Sequence, residues 1–370
     1  MFGGEERYIH DHATFLKSLR YNVKVLQRRF RDYESRDGKN VGHPDIPVKF
    51  VSFAAPRNVN SSIVDRQFFY NFIATPYLLR FAGAQDVVIV HYPRLFFPGA
   101  LASKLFRGTR VICLSHGVVW DIPDMSIQES VFFTWVKFLD WWGLRFADII
   151  VANDSSYARE AAMLCPGVEK RTVVIPNYVD ADFFTPSRQS PDEIILCPRN
   201  LQRARGIDIA VRAMSIVGKH YPKATLLIIG DGPQRQEIEL LIKETRARAV
   251  LKGKATKKEM LNYYHKSKIV VVPSRFSEGT SLAVLEACAC GIPVIATKVG
   301  GLPDIIQHGI NGLLVDPSPE SLASGIISLL SDEKLRIRLS RAGRVAAETK
   351  FSRRKWEERW LKVLHSLPRR

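Results

Sequence analysis

The stretch PSRFSEGTSLAVLEACACGIPV (273–294) holds two carboxylates, Glu278 and Glu286, in an otherwise small and apolar run. Glu278 lies in a Gly/Ser/Thr loop and Glu286 inside a segment that reads as a buried helix. A buried Glu is rare unless something pairs with it. The pattern is a strand (IVVVPS, 269–274), a turn (RFSEGTS) and a helix (SLAVLEACAC) stopped by Gly291 and Pro293. In a parallel sheet, a ligand at the C-terminal end of such a strand meets the start of the next helix. The amides of Gly279, Thr280, Ser281 and Leu282 are then expected to face an anion. Glu278 is expected where the turn crosses a cleft, and Glu286 to accept two hydrogen bonds from a vicinal diol. Anion and diol together suggest the diphosphate and ribose of a nucleotide. Either glutamate alone reads as the solvent-facing residue of a capped helix. The whole strand–loop–helix, followed by TKVGGLPDII (297–306), does not.

The elements that must position this loop alternate short β-branched runs with amphipathic helices, the pattern of an α/β protein with parallel sheets. Strands are predicted over 22–27, 86–92, 110–116, 147–153 and 172–177, then over 193–199, 224–232, 249–253, 269–274 and 293–297. Helices are predicted over 5–20, 206–220, 233–248, 256–267, 280–290, 318–331 and 333–348. The polar segment TPSRQSPDE (185–193) reads as a linker between two Rossmann-like domains, 1–185 and 193–350. In 351–367, Trp356, Trp360, Val363 and Leu364 recur at helical spacing, so a final helix (351–370) is expected to cross back and bury that stripe against the first domain.

A chain of 370 residues is long for one core, and 46% hydrophobic with 25% charged residues is ordinary for a globular protein. Fifty-four Lys and Arg against 37 Asp and Glu give a net charge of +17, which favours a partner rich in phosphate or an anionic membrane face. A nucleic-acid binder is suggested by that charge alone, and no recognised motif supports it. The five cysteines, Cys113, Cys165, Cys197, Cys288 and Cys290, lack metal-type spacing and read as buried, reduced thiols of a cytoplasmic protein. Met1 leads into a glycine pair and a charged helix rather than a secretory leader, and no run of about 18 apolar residues suggests a membrane span. Any membrane contact is expected to be peripheral, at the inner face.

The residues resemble the retaining family-4 glycosyltransferases, whose GT-B fold sets two Rossmann-like domains across a cleft. Glu278 and Glu286, with seven residues between them, have the spacing of that family's paired glutamates. The resemblance covers nearly the whole chain. It runs through 3–26, VICLSHGVVWD (111–121), 149–160 and 173–186, then CPRNLQRARGIDIAVRAM (197–214), LLIIGDGPQRQEIE (226–239), 276–306, HGINGLLVDPSPESLASGI (308–326) and the helix 351–367. It implies that Arg199 and Arg205 clamp the donor diphosphate, that Glu286 holds the ribose, and that Glu278 and His116 contact the transferred sugar. It also implies that Gly3 and Gly4 let the backbone approach a phosphate or sugar. The family usually has Lys where Arg205 stands, so a planar fork replaces a point charge.

The implied reaction is transfer from a nucleotide-sugar to a glycan or lipid-linked acceptor with front-face attack and retention. No protein general base is assigned, and no metal or other cofactor is expected. Asp180-Ala181-Asp182 imitates a metal-binding DxD motif but follows VVIPN at a domain edge, where the family has a structural stretch. The GDG of 230–232 reads as a strand-end turn. Two aromatic, basic segments, 66–83 and 130–148, read either as core or as a surface for anionic membrane. The chain opens Met-Phe-Gly-Gly, without the strand that precedes the glycine pair in the family. The expectation is either a natural start further upstream or an impaired first domain. A non-catalytic nucleotide-sugar-binding protein is therefore the alternative function, and a GT-B epimerase is disfavoured by the EGTS loop with both glutamates.

Overall fold

The computed structural model describes residues 4–28, 48–51, 75–76, 78–96, 98–116, 127–187, 192–276 and 278–367. In the first half the elements are α1 (Gly4–Ser18), β1 (Val25–Arg28), β2 (Val48–Val51), β3 (Val87–His91), α2 (Gly99–Arg107), β4 (Arg110–Ser115), α3 (Ile127–Phe146), β5 (Ile149–Ala152), α4 (Ser155–Leu164) and β6 (Thr172–Val174). Strands β3-β4-β5-β6 form one parallel sheet in chain order, and β1 pairs with β2 as a separate parallel sheet. The two-stranded piece pairs Val25 with Val48. All four residues of β5 are buried, as expected where helices cover both faces of a parallel strand. On β6, Val173 and Val174 are exposed, as suits a sheet edge.

The second half contains β7 (Ile194–Cys197), α5 (Ile207–Val217), β8 (Thr225–Ile228), α6 (Arg235–Thr245), β9 (Ala249–Leu251), α7 (Lys257–Lys266), β10 (Ile269–Val272), α8 (Leu282–Ala289), β11 (Val294–Thr297), α9 (Leu302–Ile305), β12 (Leu313–Val315), α10 (Pro319–Ser331) and α11 (Glu333–Thr349). Its six-stranded sheet has the order β12-β11-β10-β7-β8-β9. The chain starts in the middle at β7, winds outward to β9, then returns to β10 on the other side of β7. This reversal makes a crevice between the C-terminal ends of β7 and β10, where ligands of open α/β sheets bind. IVVV of β10 and VIAT of β11 are buried throughout. Threonine, serine or aspartate side chains cap several of the helices. Thr256 and Glu259 form a reciprocal capping box on α7, and Ser318 caps α10.

Helix α12 (Arg353–Ser366) leaves the second half and packs on the first. Trp356, Trp360 and Val363 join Tyr8 and Phe15 of α1 and Ile112, Leu114, Ile149 and Val151 of the first sheet in one buried cluster. Both indole N–H groups donate to the Tyr8 hydroxyl, at 3.2 and 3.0 Å. The apolar stripe of 351–367 is thus buried against α1 and the first sheet.

Two strands, β2 and β12, are additional to those predicted, and so are helices α2, α3, α4 and α9. Of segment 66–83, most lies outside the described residues, as does Gly3. Segment 130–148 falls largely on α3, and its described side chains divide between core and surface. Val136, Leu139 and Leu144 are buried, whereas Trp135 is 61% and Phe138 50% exposed.

Candidate functional site

Arg199 stands two residues beyond the end of β7, and Ser274 two beyond the end of β10. Because these strands are neighbours, paired at Ile195–Ile269 and Leu196–Val270, the crevice brings both residues to one place. The following turn carries Glu278 into the same spot. Its Oε2 accepts hydrogen bonds from Arg199 Nη2, Arg205 Nη1 and, at 3.0 Å, the Ser274 hydroxyl. Arg199 also reaches Ser274 Oγ at 3.0 Å and Ser281 Oγ at 3.3 Å, while its Nε is buried without a partner. Arg199 and Glu278 are each only 8% exposed. Burial pushes the Glu278 pKa up, but the two guanidinium groups outweigh it and hold the carboxyl below its usual range.

The backbone around this cluster explains the glycines of EGTS and TKVGG. A Cβ on Gly300, whose φ is +53°, would lie 2.1 Å from the Glu278 carbonyl oxygen, and Gly301 N–H donates to that same oxygen at 2.6 Å. A Cβ on Gly279 would lie 2.8 Å from the His116 carbonyl oxygen. The loop is thus pressed between its own following turn and the first half of the chain. Ser281 occupies the N-cap position of α8, with Leu282 opening the helix. Among the described residues, the amides of Gly279, Thr280, Ser281 and Leu282 donate to no backbone acceptor; for Ser281 and Leu282 this is the rule at a helix start. Glu286 lies one turn further along α8, half-buried, and accepts from the Tyr264 hydroxyl at 3.0 Å. Burial, then the Glu286 charge, pushes the Tyr264 pKa well up, so the phenol stays a donor.

Facing this loop are the C-terminal ends of four neighbouring strands. His91 ends β3, His116 follows β4, Asn153 follows β5, and Asn177 lies three residues beyond β6. Asn153 Nδ2 donates to His116 Nδ1 at 3.1 Å, which leaves the proton of a neutral His116 on Nε2, 3.1 Å from His91 Nδ1. Asn153 Nδ2 also reaches Asn177 Oδ1 at 3.3 Å, and Asn177 Nδ2 donates to the Thr280 carbonyl at 2.8 Å. Thr280 Oγ1 donates to the Asn153 carbonyl. A second clasp lies nearby, where Asp304 of α9 accepts from the Ser155 amide and hydroxyl, both at 2.6 Å. The rings of Tyr8 and Tyr92 border His116, with centroids 5.1 and 5.5 Å away. Burial lowers the His116 pKa to about 4 and that of neighbouring His12 to about 3, so both are neutral near neutral pH.

The structure therefore gathers Glu278, Arg199, Arg205, Gly279, Thr280, Ser281 and His116 around one crevice. Leu282 and Glu286 sit just behind them on α8. Gly4 opens α1, four residues ahead of the Tyr8 ring that meets His116. Arg203 is exposed, consistent with a surface arginine. Asp180 spends its carboxylate on Lys257 Nζ at 2.9 Å and on the Phe183 amide at 3.2 Å, and Asp182 is exposed, so DAD serves a turn. Gly230 of GDG packs on the Arg199 carbonyl, where a Cβ would come within 2.1 Å.

Sequence reasoning missed Ser274, Tyr264, Asn153, Asn177 and His91. Three of these close predicted strands, IVVVPS, ADIIVAN and TVVIPN, and His91 is the last residue but one of DVVIVHY. A polar residue at the C-terminal end of a parallel strand is the signal that would have found them. Tyr264 carried none, since a buried Tyr on a helix reads as core.

Comparison with known proteins bears on family and fold. The model of the glycosyl transferases group 1 family matches residues 179–346, and that of glycosyltransferase family 4 matches residues 2–183. An uncharacterized glycosyltransferase of Methanocaldococcus jannaschii is 35% identical over 364 residues, covering 96% of this chain and 92% of its own. Sucrose-phosphate synthase from Thermosynechococcus elongatus superposes with a TM-score of 0.82 at 21% identity, over 99% of this chain and 94% of that one. Anabaena HepE, solved in complex with UDP, superposes with a TM-score of 0.76 at 18% identity, over 99% and 97%.

Proposed function

The chain belongs to the group 1 glycosyl transferases and has the GT-B fold, and from that premise we propose that it moves a sugar from a nucleotide-sugar donor to a glycan or lipid-linked acceptor, with retention and without a metal. The reaction belongs to cell-envelope, polysaccharide or glycoconjugate synthesis. The observation that carries this reading is the convergence of buried Arg199 and Glu278 with half-buried Arg205 at the switch point of the second sheet, opposite His116. HepE, of like fold, binds UDP, which supports a nucleotide donor here.

In this reading Arg199 and Arg205 bind the diphosphate and stabilise the charge that grows on it as the glycosidic bond breaks. Glu286, oriented by Tyr264, takes the ribose hydroxyls. Neutral His116, held by Asn153, offers a hydrogen bond rather than a charge to the sugar. The acceptor hydroxyl loses its proton to a donor phosphate oxygen on the face from which the nucleotide departs. The division into domains 1–185 and 193–350 is part of the proposal, with closure excluding water from the crevice. The use made of Asp180 supports metal independence; loss of turnover on chelation, restored by a divalent ion, would overturn it.

The deciding experiment is a thermal-shift panel of UDP, GDP, ADP and their sugars on the wild type and Glu286→Ala. A ligand that binds only the folded state raises the melting temperature. One nucleotide is expected to stabilise the wild type and to lose its effect in the variant. No shift with any of them removes the donor-site reading, whereas binding without turnover favours a non-catalytic binding protein.

We also propose peripheral contact with anionic membrane through the exposed Trp135 and Phe138, flanked on α3 by exposed Lys137 and Arg145. Among the described residues no helix is long and apolar enough to cross a membrane. Co-sedimentation with phosphatidylglycerol vesicles at low salt is expected, and its absence refutes the contact.

A further inference from the structure

One carboxylate oxygen, Glu278 Oε2, is the shared acceptor of Arg199, Arg205 and Ser274. The two arginines are the groups read above as the diphosphate clamp. We propose that Glu278 competes with the diphosphate for Arg199 and Arg205, and so makes the site select a sugar nucleotide over the free nucleoside diphosphate left after transfer. This rests on the donor-site reading and adds to it a second role for Glu278.

The argument is one of charge and hydrogen bonding in a buried place. Two neighbouring guanidinium groups favour an anion, and Glu278 supplies one from within the chain. A diphosphate that takes the arginines strips Glu278 of its charged partners and sets further negative charge beside it. A buried carboxylate left unpaired is costly. A sugar nucleotide offsets that cost, because its sugar hydroxyls give the displaced carboxylate new donors. A free nucleoside diphosphate brings no such hydroxyls to that spot. When the sugar leaves on the acceptor, Glu278 loses those donors and returns to the arginines, which weakens the hold on the product. Arg199 Nε, buried and without a partner, shows that the guanidinium keeps donor capacity that Glu278 does not use.

Ser274 belongs to the same balance. Its hydroxyl donates to Oε2 and stands 3.0 Å from Arg199 Nη2, so it holds the carboxylate on the arginine side. Removing it keeps all three charges and shifts the competition more gently than removing the carboxylate.

The test is calorimetric titration of the wild type, Glu278→Gln and Ser274→Ala with UDP, GDP and ADP, and with UDP-glucose, GDP-mannose and ADP-glucose. Glu278→Gln is expected to bind the cognate free diphosphate about tenfold more tightly, with a smaller gain or a loss for its sugar nucleotide. The preference for the sugar nucleotide therefore shrinks. Ser274→Ala is expected to move the same way by about threefold and guards against misfolding of the first variant. Unchanged or weaker binding of the free diphosphate by both variants, with the wild type binding normally, overturns the competition and leaves the donor site standing. If no diphosphate of the panel binds any of the three proteins, the donor site falls and the competition with it.

Discussion

The two walls of the crevice bury polar groups by opposite means. On the second half, Arg199 and Glu278 are charged and cancel one another through direct hydrogen bonds. On the first half, His12, His91 and His116 give up their charge, because burial favours the neutral imidazole. Charge is therefore concentrated where a diphosphate is proposed to bind, and neutral donors and acceptors lie where a sugar is proposed to sit. In the proposed reaction one wall would supply electrostatic stabilisation and the other hydrogen-bond geometry, and they meet at the short span from Gly279 to Ser281.

Arg199→Ala strikes the charged wall hardest. It removes a fixed cation from the leaving diphosphate and leaves Glu278 with one fewer partner. Turnover is expected to fall by about 10²–10³, by analogy with the loss of one donor from a charge-stabilising site. Arg199→Lys should recover only part of this, since a point charge does not reproduce the guanidinium fork. Equal turnover in Arg199→Ala and the wild type would show that the charged wall does not act on the leaving group.

The neutral wall is probed through pH. His12 has its pKa at about 3 in the folded protein and near 6.5 in the unfolded chain. Below pH 6.5 the unfolded state binds the extra proton, so His12 lowers stability progressively as the pH drops towards 3. Its contribution between pH 7 and 4.5 is about 2–3 kcal/mol. Asp154 and Asp140 act in the opposite sense. Burial raises both to about 6, so the folded protein takes their protons first and gains stability between about pH 6 and 3.8. Comparing urea unfolding of the wild type and His12→Phe across this range isolates the histidine. The variant is expected to lose less stability on acidification, and parallel curves would contradict the neutral-wall account.

The smallest expected effect is that of Tyr264→Phe, which removes one hydrogen bond to Glu286. A loss of about 1 kcal/mol corresponds to roughly fivefold weaker nucleotide binding. Turnover at saturating donor should hardly change, because the ribose is remote from the bond that breaks. A fall in turnover at unchanged affinity would move Glu286 from the ribose to the reacting centre.

Much of this frame was legible in the sequence. Strands β5, β10 and β11 announced themselves as apolar runs because helices cover both their faces. Strands β2 and β12 escaped: β12, Leu313–Val315, is three residues long and lies between Gly312 and Asp316, so it reads as loop. The paired glutamates and Arg199 were legible through spacing and a strand end. Their hydrogen bond to each other was not, since residues 79 apart in sequence meet only through the reversal between β9 and β10. The split character of α3 was also hidden. Trp135 and Val136 are adjacent and both hydrophobic, yet one is exposed and the other buried, a difference set by which side of the helix meets the rest of the fold.

The return of α12 to the first half also has a consequence for synthesis. Trp356 and Tyr8 touch although they are 348 positions apart in the chain. On the ribosome, the second half can assemble its sheet as its own strands emerge, because β7 to β12 are contiguous in sequence. The first half, made earlier, must wait for residues 353–366 to close the cluster around Tyr8, Ile112 and Leu114. During that wait its apolar surface is open to solvent and to chaperones, so the half that is translated first is the half that finishes last.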